Sequence, residues 1–320
     1  MTETTTTGWT VKAPPRATSL FVDGLFPRRR ALVVVPALLG GLLLAWLWAS
    51  APADGGNAVP ALDRLLGHGA GSTPPHGAVA GVLFAFLSGL AGSFTAGNVA
   101  VFGVVGPLLG RMSLTSRPRP AHTLYPLVWL AAGMLPVSAG YGALVGLFGT
   151  RMPQFSAGSA PGTLPPGLVE AMAVFGVIGL VALVIGLAAA GVLPDPLAGV
   201  ARRYPNAPLV LLGALAGALL AGRPHPLFRA LFRQAALERA PLYGAVAFSL
   251  QSIGGVLVAA LLLLVLSSVL GAPVQRWLAT APGRGASLTA FAFLLTGAFT
   301  VAYWDVRLPG EFGVLWWPGS

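Results

Sequence analysis

Residues 126–140 read PLVWLAAGMLPVSAG, and residues 241–255 read PLYGAVAFSLQSIGG. The identical positions pair Pro126 with Pro241, Leu127 with Leu242, Ala132 with Ala247, Leu135 with Leu250, and Gly140 with Gly255. Each stretch opens an apolar segment long enough to cross a membrane, so the shared register predicts one unit of three spans used twice. The alternative is chance agreement between two helices that are both rich in Leu and Ala.

The number of crossings in the repeated unit fixes how its copies are related. A unit of three spans crosses an odd number of times, so the second copy enters the membrane from the opposite side. The predicted fold is therefore an all-α, polytopic transmembrane helix bundle of about seven spans. It contains an inverted repeat of three-helix units and one extra N-terminal span.

Composition assigns the chain to a membrane. Hydrophobic residues make up 55% of its 320 residues and charged residues only 9%, whereas soluble chains carry roughly 25% charged residues. The mean hydropathy is +0.79. The net charge of +10 comes from basic residues that lie between apolar segments, where they orient helices, so nucleic-acid binding is not expected.

Seven apolar segments are candidates for membrane-crossing helices. They are residues 31–50, 77–110, 124–149, 167–193, 207–222, 241–270 and 286–304. The predicted organisation is a cytoplasmic tail (1–30), an extra span (31–50), a first three-span repeat (77–193), a second repeat (207–304) and an aromatic interfacial tail (305–320). A cleaved secretory signal is the alternative for 31–50, but about 30 residues precede it, which favours a retained span.

The basic residues orient the bundle. With seven spans, twelve Lys and Arg residues fall on one side, and three, Arg64, Arg151 and Arg307, fall on the other. This distribution predicts a multi-pass protein of the inner (plasma) membrane with a cytoplasmic N-terminus. The four exceptions are Arg223, Arg229, Arg233 and Arg239.

Two interpretations accommodate these four arginines. In the first, residues 207–239 dip into the membrane and return, which leaves six spans. In the second, residues 227–237 form an amphipathic helix at the outer surface. Its apolar face would hold Leu227, Phe228, Leu231, Phe232 and Ala235. The second keeps seven spans and is the prediction.

Two breaks interrupt membrane-length segments. They are Ala91–Asn98 and Ala221–Pro226, and the second contains two prolines, which lack a backbone N–H. Broken helices at membrane depth are tolerated inside protein or beside a wet cavity, and paired breaks in two halves of a chain point to a transport site. The predicted substrate path comprises Ser93, Thr95, Asn98, Arg223, His225, Gln251 and Ser252. The alternative is that these polar side chains only join helices or lie at the headgroup level.

The chain resembles the membrane domain of the CcdA and DsbD electron carriers, which serve cytochrome c biogenesis and other extracytoplasmic thiols. The resemblance covers residues 77–304 and rests on two Gly-rich breaks, Gly89–Thr95 and Gly217–Pro226, each opening a three-helix unit. It implies the fold of that family. Thr95 and His225 stand where the family has redox cysteines, and this chain has no Cys, so the thiol chemistry is not implied.

No acid–base constellation, nucleotide motif or zinc-protease signature is present in the sequence, so an enzyme is not expected. No cofactor or metal site is predicted, because His68 and His76 have neither Cys nor a carboxylate cluster nearby. The predicted function is a permease-like protein that moves, or assists the movement of, a small solute or reductant. The alternative is a non-catalytic accessory subunit of a respiratory or cytochrome-assembly complex, with other membrane subunits as partners.

Overall fold

The computed structural model describes residues 19–22, 24, 26–27, 29–49, 78–92, 120–155, 163–220, 226–279 and 283–317. Within these ranges the chain is all-helical. The helices are α1 (Ala31–Ala49), α2 (Ala78–Gly92), α3 (Pro120–Phe148), α4 (Pro166–Ala189), α5 (Ala198–Arg203), α6 (Ala207–Ala218), α7 (Pro226–Glu238), α8 (Pro241–Ala279), α9 (Arg284–Val301) and α10 (Leu308–Glu311). A π-helical turn, Ala302–Arg307, joins α9 to α10.

Four helical stretches are long and apolar enough to cross a membrane: Tyr125–Arg151, Pro166–Ala189, Pro241–Val258 and Arg284–Glu311. Three shorter apolar helices are Ala31–Leu47, Gly81–Leu90 and Ala207–Ala218. Each of the seven segments predicted from the sequence overlaps one of these helices. Large apolar side chains also face outward, as bilayer-exposed surfaces require; on α1 these include Leu39, Leu43 and Leu47.

Glycine brings α3 and α8 together as an antiparallel pair at the centre of the bundle. A Cβ added to Gly142 would collide with the Gly244 carbonyl, and one added to Gly244 would collide with the Gly142 carbonyl. One turn further along α3, Gly146 lies against Pro241. Because lipid supplies no hydrophobic push between helices, close backbone approach at small residues is what stabilises such a pair.

The two short apolar helices pack on this pair in a reciprocal way. Helix α2 runs parallel to α8, since Gly81 lies against Tyr243 and Gly89 against Gln251. Helix α6 runs parallel to α3, since Gly213 lies against Leu130 and Gly217 against Met134. The first helix of each predicted unit therefore packs on the second helix of the other unit.

The third helices of the two predicted units, α4 and α9, also pack on each other. They run antiparallel, with Gly179 against Gly297 and Gly186 against Leu294. Helix α1 lies along α9 in the same direction as α9, with Gly41 against Ala298. The extra N-terminal helix thus covers the second unit.

These directions give the bundle two distinct ends. At one end, called the basic end, lie Arg30, Arg203 and Arg284: Arg30 donates a hydrogen bond to the Gly191 carbonyl just beyond α4 (2.6 Å), and the other two flank the starts of α6 and α9. At the opposite end lie the C-terminus of α3, the start of α8, and α7, so Arg151, Arg229, Arg233 and Arg239 are on that side.

Helix α7 is amphipathic, and its apolar side packs into the bundle. Leu231, Phe232 and Ala235, three of the residues predicted to form its apolar face, are buried with Ala236. They join the C-terminal part of α3 and the N-terminal parts of α2 and α8. Helix α6 thus runs beside α3, and α8 starts at the opposite end of the bundle, where α7 lies.

The aromatic residues near the C-terminus divide between core and surface. Trp304 stacks face to face on Phe175 of α4, with ring centroids 4.0 Å apart, and Tyr303 is buried beside it. Trp316, in contrast, is 83% exposed. Trp316 lies in the predicted interfacial tail (305–320), whereas Trp304, at the end of the predicted span 286–304, lies in the π-helical turn and packs in the bundle.

Candidate functional site

A buried pair of serines lies where α3 crosses α8. The Oγ atoms of Ser138 and Ser252 are 2.6 Å apart and share a hydrogen bond, and either hydroxyl can be the donor. Both residues are buried, Ser138 completely. We call Ser138 and Ser252 the central serine pair.

Backbone irregularity accompanies the pair. Pro136, inside α3 and two residues before Ser138, has no N–H to donate to the Ala132 carbonyl one turn earlier. The Ser138 and Ser252 hydroxyls and the Ala132 carbonyl, which lacks its usual helical donor, thus lie within three helical turns on α3 and α8. These are groups with which a polar solute or water can form hydrogen bonds.

Helices α2 and α6, one from each predicted unit, both lie beside this level. A Cβ added to Gly217, near the end of α6, would lie 3.2 Å from the Ser138 Oγ. Gly89, near the end of α2 at Gly92, lies against the Gln251 backbone. Gly89 and Gly217 belong to the two Gly-rich breaks recognised in the sequence.

Gln251 adds a hydrogen-bond acceptor to the same turn of α8. The residue is 5% exposed, and its buried Oε1 atom has no hydrogen-bond partner among the described residues. Leaving a buried amide oxygen without a donor costs about 1–3 kcal/mol, so the position is one where a donor from a solute or water would be stabilising.

The structure thus brings together Gln251 and Ser252 from the predicted path and adds Ser138. Ser93, Thr95 and Asn98, together with Arg223 and His225, lie outside the described residues. Sequence reasoning missed Ser138 because it compared polar residues of the second and sixth spans only. The signal was nonetheless available, since Ser138 lies inside the repeated stretch 126–140 that matches the stretch holding Ser252.

Two other serines in the spans are satisfied within their own helices, whereas Glu170 Oε2, the Tyr243 hydroxyl and Asp305 Oδ2 are buried without a hydrogen-bond partner among the described residues. Ser88 donates to the Ala85 carbonyl (2.8 Å) and Ser249 donates to the Ala245 carbonyl (2.7 Å), both within their own helices. Glu170, near the start of α4, accepts a hydrogen bond from the Tyr141 hydroxyl at 2.9 Å. In the described part of the chain, no three His, Asp or Glu side chains group as metal ligands.

Two apolar clusters enclose the central serine pair from the two ends. Toward the opposite end, Phe232 of α7 joins Val145 and Phe248. Toward the basic end, Phe21 joins a cluster that includes Leu127 and Ala260. Along the bundle axis the pair therefore lies between two apolar clusters.

No protein-family model, curated protein or solved structure matches this chain.

Proposed function

We propose that this chain is a permease-like protein of the inner membrane that moves, or assists the movement of, a small solute or reductant across the bilayer. The single observation that carries the proposal is the central serine pair, a buried polar level at which the helices of both predicted units meet. The proposed architecture is that of the CcdA and DsbD membrane domains without their redox cysteines.

Helix pairing supports an inverted repeat. A twofold axis that exchanges the two units must pair α3 with α8 and α4 with α9 as antiparallel partners, and must turn the α2–α8 contact into the α6–α3 contact. The glycine contacts have this pattern. The chain spacing that relates Pro126 to Pro241 also relates Val145 to Ala260, which lie in the clusters at opposite ends.

The chemistry of the centre favours an uncharged solute. Two hydroxyls and one amide donate and accept hydrogen bonds but carry no charge at neutral pH. A bare ion at this depth would need a counter-charge, whereas a small neutral molecule needs only hydrogen bonds to replace those it leaves in water. The same uncharged groups do not supply general acid–base catalysis, which favours a conduit over an enzyme.

Flux through liposomes tests the proposal. The purified protein is reconstituted, and entry of small uncharged solutes such as glycerol and urea is followed by light scattering after an osmotic step, with formate as the charged comparison. We expect Ser252→Ala and Gln251→Leu each to slow entry of a transported solute by about two- to tenfold, the factor for about 0.5–1.5 kcal/mol per lost hydrogen bond.

The matched control is Ser249→Ala on the same helix. Its hydroxyl bonds to its own helix, so the variant should transport like the parent protein. Equal flux for Ser249→Ala, Ser252→Ala and Gln251→Leu would contradict the proposal. Absence of flux for every solute, combined with a cytochrome or oxidoreductase that co-purifies stoichiometrically, would instead support the accessory-subunit function.

A further inference from the structure

The segment before α1 folds back onto the basic end of the bundle. Phe21 and Val22 are 2% and 3% exposed. The Phe21 ring packs edge-on against the ring of Phe293 in α9, with centroids 5.3 Å apart. An aromatic side chain so thoroughly buried in a segment without regular structure is part of the core.

The cluster around Phe21 draws on both predicted units. Its buried members are Phe21, Leu127, Ala182, Ile185, Leu209, Leu212, Ala260 and Phe293, which come from α3, α4, α6, α8 and α9 besides the N-terminal segment. Ala260 is eight residues beyond Ser252 on α8, which is about 12 Å along the helix axis. The cluster therefore lies between the central serine pair and the basic end.

Polar contacts hold the segment on its site. The Ser19 backbone N–H donates to Asp195 Oδ2 at 2.7 Å, in the turn between α4 and α5. At the other end of the segment, Phe26 lies against Gly191, and Arg30 donates to the Gly191 carbonyl. The segment is thus clamped to the loop after α4 at two points, with the Phe21 side chain inserted between them.

From this arrangement we infer that Ser19–Val22 is a plug that closes the basic end of the solute path, and that its release exposes the central serine pair to the solution on that side. The inference rests on the proposed function, because a plug needs a path to close. The counterpart at the opposite end is the α7 cluster of Leu231 and Phe232.

Cysteine accessibility tests the plug directly, since the chain has no Cys of its own. Ser252→Cys is introduced as the single thiol, and a membrane-impermeant maleimide is added to inside-out or right-side-out vesicles. Adding Phe21→Ala should raise the rate of labelling from the basic end at least about tenfold, because the plug loses the free energy of burying one Phe side chain. The rate of labelling from the opposite end should stay unchanged.

Phe291→Ala is the matched control, because Phe291 lies one helical half-turn from Phe293 but is 38% exposed. Asp195→Ala provides a second route to release, since it removes the Ser19 anchor and leaves the apolar cluster intact. A general loss of folding would raise labelling from both ends. Equal rates for the parent, Phe21→Ala and Asp195→Ala proteins, or a rise from both ends, would overturn the plug.

The flux experiment and the labelling experiment distinguish failure of the proposed function from failure of the plug. If the flux of Ser252→Ala equals that of the parent, the proposed function is wrong, while side-specific labelling would still register release of the plug. If flux depends on Ser252 and labelling ignores Phe21, the path stands and the plug does not.

Discussion

At the scale of single residues, glycine sets how closely the helices approach. The contact between Gly142 and Gly244 is mutual, with each Cα facing the carbonyl oxygen of the other. Gly140, two residues before Gly142 on α3, faces open space, and nothing lies within 4 Å of a Cβ built on it. Close packing of α3 therefore requires glycine at position 142 but not at position 140.

This difference predicts opposite effects of the same substitution. Gly142→Ala should lower the free energy of unfolding by about 1–3 kcal/mol, the range for overpacking a close contact. Gly140→Ala should leave it unchanged or raise it by about 0.5–1 kcal/mol, because Ala favours helix over Gly. Denaturant unfolding of the purified protein in detergent measures both. Similar effects of the two substitutions would mean that α3 and α8 do not meet at Gly142.

The residue scale also shows where sequence reasoning stops. The repeated register identified Pro126, Gly140 and their partners from identity alone, yet Gly140 makes no close contact and Gly142, which has none of these matches, does. Identity between the two stretches concerns their sequence alone, whereas contact depends on which face of the helix a residue occupies. The hydrogen bond between Ser138 and Ser252 could not be predicted for the same reason. It depends on where α3 crosses α8, and the sequence pattern does not specify that point.

At the scale of elements, α7 is the one whose role changes most between sequence and structure. The sequence predicted an amphipathic helix at the membrane surface over residues 227–237, and the helix Pro226–Glu238 covers this range. Its apolar side is covered by α2, α3 and α8. Amphipathic periodicity predicts that one side is buried but does not distinguish burial in lipid headgroups from burial in protein.

Burial of α7 in protein predicts a stability effect. Leu231 is fully buried and Leu237, on the same helix, is 61% exposed. Leu231→Ala should lower the free energy of unfolding by about 2–5 kcal/mol, whereas Leu237→Ala should change it by less than about 0.5 kcal/mol. Thermal unfolding in detergent without lipid provides the comparison. If Leu231→Ala left the stability unchanged, α7 would be held by the bilayer instead.

At the scale of the whole molecule, seven spans and six spans differ in the side of the membrane on which two segments lie. Tyr204 precedes α6 at the basic end, and Trp316 follows α10 beyond the far end of α9. Seven crossings place these two residues on opposite sides of the membrane, while the dip-and-return alternative places them on the same side.

Single cysteines again provide the measurement. Tyr204→Cys and Trp316→Cys replace exposed side chains, 58% and 83% exposed in the folded chain. We expect an impermeant maleimide to label Tyr204→Cys only in inside-out vesicles and Trp316→Cys only in right-side-out vesicles, because basic segments remain cytoplasmic. Labelling of both from the same side would favour six spans.

The positions of the apolar helices were predictable from hydropathy, because length and composition alone define a membrane-crossing segment. Their order of packing was not, since Leu- and Ala-rich faces are alike in sequence, and only the placement of glycines selects among partners. The N-terminal segment illustrates the same limit. Phe21 lies in a stretch assigned to a cytoplasmic tail, and nothing local in that stretch indicates that it belongs to the core.

The burial of Phe21 against Phe293 also constrains the order of assembly. Residue 21 leaves the ribosome long before residue 293, and Asp195, which holds Ser19, is made between them. During synthesis the surface on which the segment ahead of α1 docks is therefore incomplete until the final long helix has been inserted. Its docking is a late, post-insertion event, so a chain truncated before α9 would leave this aromatic segment accessible to proteases and chaperones.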